Sequence, residues 1–64
     1  MNIYKYAMKM EKDSENYYNE LANKTDDAGL RNILKMLASD EVKHYNIIEQ
    51  MIKTDVSAEL AETS

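Results

Sequence analysis

Large apolar side chains recur at spacings of three and four from Ile3 to about Lys24 and again from Ala28 to about Lys53, and neither stretch contains a proline. That spacing follows the 3.6-residue repeat of an amphipathic helix. Asn2 is available to cap the first helix. Thr25-Asp26-Asp27 gathers turn and capping residues between the two stretches, and Asp27 is placed to cap a second helix whose first turn holds Ala28, Gly29 and Leu30. A loop this short makes the helices antiparallel neighbours. Residues 1–53 thus predict an all-α helical hairpin, with helices over about 3–24 and 28–53. Thr54 to Ser64 offers little apolar surface and predicts a frayed turn or a disordered tail.

Composition narrows the possibilities. A chain of 64 residues is one domain at most, and a domain of that size buries only about 60 % of its unfolded surface alone, so a partner or a metal is expected to complete it. There is no cysteine, which excludes a disulfide framework, zinc ribbons, thiol redox chemistry and iron–sulfur clusters. The expected compartment is reducing and cytoplasmic. A formal net charge of −4, without a Lys/Arg cluster, argues against nucleic acid as a partner. Apolar runs of a few residues are far short of the ~20 needed to cross a bilayer, so no membrane is expected either.

The chemistry lies where the helical seams turn polar. A walk in threes and fours through the first helix gives Tyr4, Ala7, Glu11, Ser14, Tyr18, Leu21 and Thr25. Through the second it gives Leu30, Leu34, Leu37, Glu41, His44, Ile48 and Met51. Charges on such seams are costly unless paired or bound to a metal. With Asp26 as the midpoint of the turn, Glu11 and Glu41 lie equally far from it along the chain, so equal helical rise brings both to one level. Glu11, Glu41 and His44 are therefore expected to converge as metal ligands. A Glu facing a Glu-x-x-His is half of a dinuclear carboxylate centre, and an isologous homodimer would supply the other half within a four-helix bundle. Two copies of two carboxylates and one neutral imidazole carry a charge of −4, which balances two divalent cations. Oxygen and imidazole donors suit iron, with manganese as the alternative. Asp40 is a candidate to hold the partner chain's His44 from behind. Tyr18, two turns from Glu11, offers a hydrogen bond to a ligand or a redox-active phenol, and equally a packed ring.

These residues resemble the rubrerythrin branch of the ferritin-like di-iron carboxylate superfamily. The likeness runs from about Asn2 to Lys53 and is carried by Ala7-Met8-Lys9-Met10-Glu11-Lys12, by Tyr17-Tyr18 and by Ser39-Asp40-Glu41-Val42-Lys43-His44. It implies a non-haem di-iron site, two irons per dimer, with Glu11 and His44 as terminal ligands and Glu41 bridging. It also implies Fe(II) chemistry with peroxide or oxygen, of peroxidase or ferroxidase type. Members carry both helix pairs in one chain, whereas this chain carries one, and Val56–Ser64 resembles the start of a connection to a second half. The alternatives are thus a naturally short protein or a fragment of a longer one. Ser14 stands three residues after Glu11, and no cysteine is present for a rubredoxin-like iron, so electrons would come from a separate donor.

Each feature also has a plainer reading. Glu-x-x-His alone is weak, and polar seam residues also fix register in helical dimers, so a metal-independent interaction module is the competing function. Glu15, Glu20 and Glu49 read as solvated charges, and Met8, Met36 and Met51 as adaptable core filler.

Overall fold

The computed structural model describes residues 2–63, with side chains described over 2–55. Helix α1 spans Ile3–Lys24 and helix α2 spans Ala28–Thr63, and the two pack against each other. Both start where a short polar side chain meets free backbone amides. Asn2 Oδ1 accepts from the amides of Tyr4 and Lys5 at 3.0 and 3.2 Å, and Asp27 Oδ1 accepts from the Leu30 amide at 2.8 Å. The turn is tightened by Arg31, which the pattern of apolar positions does not reveal. Its guanidinium donates to the carbonyls of Thr25 at 2.7 Å and Ala22 at 3.3 Å, so carbonyls left over at the end of α1 are satisfied from α2. Past Lys53, where no glycine or proline interrupts the chain, α2 continues to Thr63. The Tyr4 hydroxyl donates to Asp55, tying the start of α1 to this extension. The side chains of 56–64 lie outside the described residues.

The contact between the helices follows two heptad stripes. On α1 the part-covered positions include Tyr4, Ala7, Glu11, Ser14, Tyr18, Leu21 and Thr25, the seam read from the sequence. On α2 the stripe is different. The covered positions are Arg31, Leu34, Ala38, Glu41, Tyr45, Ile48 and Ile52, with Glu49 part-covered beside them, whereas Leu30, Leu37, His44 and Met51 are exposed. The walk through α2 had merged two adjacent stripes. Ala22, Leu34 and Ala38 are the buried residues among those described, and two of the three are alanine, which suits helices that approach closely. Met36 is exposed rather than core filler, and Glu15 is part-covered and paired with Lys12 at 3.1 Å rather than solvated.

The result is a slab 57 × 19 × 9 Å, a single layer of helices. Its radius of gyration is 16.0 Å, against about 11 Å for a globular domain of this length. Its accessible surface of 5107 Å² exceeds by roughly 900 Å² the ~4,200 Å² of a compact monomer of equal mass. No described helix is long and apolar enough to cross a membrane.

Asp27→Ala removes the cap of α2 and is expected to cost about 1 kcal/mol of hairpin stability, read as a lower denaturant midpoint at unchanged slope.

Candidate metal centre

Glu11 is carried by α1, and Glu41 and His44 by α2, one turn apart. One donor atom from each lies within 4.8 Å of the other two. His44 Nδ1 is 3.3 Å from Glu11 Oε2 and 3.9 Å from Glu41 Oε1. Donor atoms bound to one cation at about 2.1 Å lie roughly 3.0 Å apart when cis and 4.2 Å when trans, so both distances suit a common ion. The carboxylates are largely covered, with side-chain exposures of 24 % and 17 %, whereas the imidazole is 53 % exposed. The group is thus walled by protein on the carboxylate side and open on the His44 side. Because Nδ1 faces the carboxylates, Nε2 is left for an acceptor beyond the slab.

Two carboxylates this close resist being ionised together. The Glu41 carboxyl is held above the usual 4.5 by its hydrogen bond with Glu11, then by desolvation and by the Glu11 charge, with His44 acting in the opposite sense. A divalent cation, or a proton, answers the same electrostatic demand. Oxygen donors with one imidazole form a hard to borderline set that fits iron or manganese.

The other two sequence candidates stand apart. Asp40 is exposed and pairs with Lys43 Nζ at 3.9 Å; within one chain it does not reach His44. Tyr18 is part-covered, its ring tilted 58° against Tyr17 at 6.1 Å, and its hydroxyl bonds none of the three clustered residues.

Folding raises the proton affinity of Glu41, so the folded state holds this proton more tightly than the unfolded chain does. The associated stability is present below the usual Glu value and is lost as pH rises through the raised one. With chelator present, the thermal midpoint should therefore fall as pH climbs above 4.5 towards neutrality. Glu41→Gln should flatten that slope and melt higher than the native chain at pH 7.

Among known families, the model described as Rubrerythrin aligns with residues 2–62. No curated protein and no solved structure matches the chain.

Proposed function

The chain belongs to the rubrerythrin family, and on that premise we propose that two copies of the hairpin hold a dinuclear non-haem iron centre that reacts with peroxide or oxygen. The family is one of di-iron-type proteins, and the clustering of Glu11, Glu41 and His44 within 4.8 Å is the observation that carries the reading to this chain. A bound iron pair would supply the electrons that reduce the oxidant, or would itself be the substrate in a ferroxidase. Manganese fits the same donors.

The protein's own residues do the positioning. Glu11 and Glu41 each offer two oxygens on the covered side of the slab, and their combined charge is what selects a cation there. On the family's pattern Glu11 and His44 would be terminal ligands and Glu41 would bridge. Nδ1 must be deprotonated to bind metal, which places the ring proton on Nε2 and calls for an acceptor there. Asp40 of the partner subunit is the proposed acceptor. Tyr18, two turns from Glu11 on the same stripe, is the proposed phenol of the centre, in a supporting role. One hairpin provides three ligands, and a homodimer would double them to match two divalent ions.

The exposed apolar face of the slab also favours a second reading, a helical dimerisation module that needs no metal. Anaerobic Fe(II) titration with molar mass measured on the same sample separates the two. About one iron per chain in a dimer, with binding lost in Glu41→Ala, is expected for the di-iron centre. A dimer whose mass and melting point ignore both Fe(II) and chelator is the outcome of the module.

A further inference from the structure

The two broad faces of the slab differ. One step back from each contact stripe turns a helix by about 100°, and because the helices are antiparallel with the same hand, both turns lead to one side of the slab. That side carries Ile3, Tyr6, Met10 and Tyr17 of α1, with Asp13, Glu20 and Lys24 at its other α1 positions, and Leu30, Ile33, Leu37, Ile47 and Met51 of α2, all exposed. One step forward leads to the other side, where Lys5, Lys12 and Asn19 of α1 accompany Lys35, Ser39 and Asn46 of α2. His44 and Asp40 lie on the apolar side, and they are its charged or titratable members on α2.

The apolar stripe of α2 is palindromic. About position 42, Asp40 and His44 lie two residues either side, Leu37 and Ile47 five, Ile33 and Met51 nine, and Leu30 and Thr54 twelve. In an antiparallel pair of identical helices centred on position 42, each of these residues faces its counterpart. Apolar then meets apolar over most of the length, and the single acid meets the single imidazole. On α1, Ile3 and Tyr17 lie seven residues either side of Met10. Positions 10 and 42 share one level, one residue farther from the turn than the level shared by Glu11 and Glu41, since each pair of numbers sums to 52, so one twofold axis serves both helices.

We infer that the apolar face seats a second copy of this chain, antiparallel and centred on position 42, so that Leu37 meets the partner's Ile47, Ile33 meets the partner's Met51, and Asp40 meets the partner's His44. This rests on the dimer proposed above and adds its register. A stable dimer buries about 800 Å² per partner, close to the surface by which the hairpin exceeds a compact monomer. A parallel pairing, or a shift by one heptad, would instead set Asp40 against an apolar residue or against another Asp40, leaving buried charge without a counter-charge. The same register puts Asp40 on the Nε2 side of the imidazole, opposite to the carboxylates that Nδ1 faces. The two metal half-sites and the apolar seam thus share one axis.

The absence of cysteine makes the register directly measurable. Chains bearing Leu37→Cys are mixed with chains bearing Ile47→Cys and oxidised mildly, once with chelator and once with Mn(II). Both positions are exposed in the hairpin, and Ile33→Cys with Met51→Cys is a second pair that guards against a local packing failure. The mixture should give at least tenfold more covalent dimer than either chain alone. Copies of the same residue would be about 15 Å apart along the axis, beyond the ~7 Å reach of a disulfide. Equal cross-linking of Leu37→Cys chains with themselves, or no cross-link from either pair in a sample with the molar mass of a dimer, overturns the register and leaves the metal reading standing. Selective cross-linking of a native-like dimer that binds no metal supports the register while removing the di-iron centre. A chain that stays monomeric under both conditions overturns both.

Discussion

Two carboxylates facing each other across a helix pair, with one imidazole beside them, set the terms for this molecule. Glu11 and Glu41 are held at one level because α1 and α2 leave a three-residue turn symmetrically, and His44 follows one turn later on the same helix. The hydrogen bond between them, then desolvation and the Glu11 charge, raises the Glu41 carboxyl, and His44 acts against that rise. Lys12, the nearest lysine in sequence to Glu11, is committed to Glu15. The donor group therefore stays available for a cation, and the rubrerythrin family match gives that availability a chemical context.

The second constraint is thickness. A single layer of two helices walls the cluster on one side, and the exposed imidazole shows on which side the enclosure is missing. Side-chain ion pairs such as Lys9–Asp13 and Lys53–Glu49 are exposed, and pairs of that kind contribute little to stability. The apolar residues on the broad face are a larger reserve, since each buried aliphatic side chain is worth about 1.5–3 kcal/mol before ordering costs. Completion of the centre and completion of the hydrophobic core are the same event in the proposed dimer. That coupling would offset the cost of a polar cluster on the seam.

Much of the architecture was legible in the residues. Asn2 and Asp27 act as caps because a short polar side chain there answers amides that any helix start leaves free, a local matter needing no knowledge of the fold. The nearness of Glu11 to Glu41 followed from counting residues about Asp26, because helical rise is constant. On α1 the walk from Tyr4 met the covered stripe, although the stripe one step back also carries Ile3, Tyr6, Met10 and Tyr17. Arg31 was missed because its role depends on carbonyls of the other helix, which have no signature in the linear order of residues.

What the sequence determined by itself was the pair of helices, their capped starts, and the chemistry placed at a common height, all consequences of local propensity and fixed rise. The rotation of α2 was decided only by tertiary packing. Leu34, Ala38, Glu41, Tyr45 and Ile48 form one stripe, Leu30, Ile33, Leu37, His44 and Ile47 form the next, and both are apolar enough to face α1. A periodic pattern wide enough to serve two interfaces does not state which neighbour takes which stripe. The close approach allowed by Ala22 and Ala38 turned the first stripe inward, and so left the imidazole facing out.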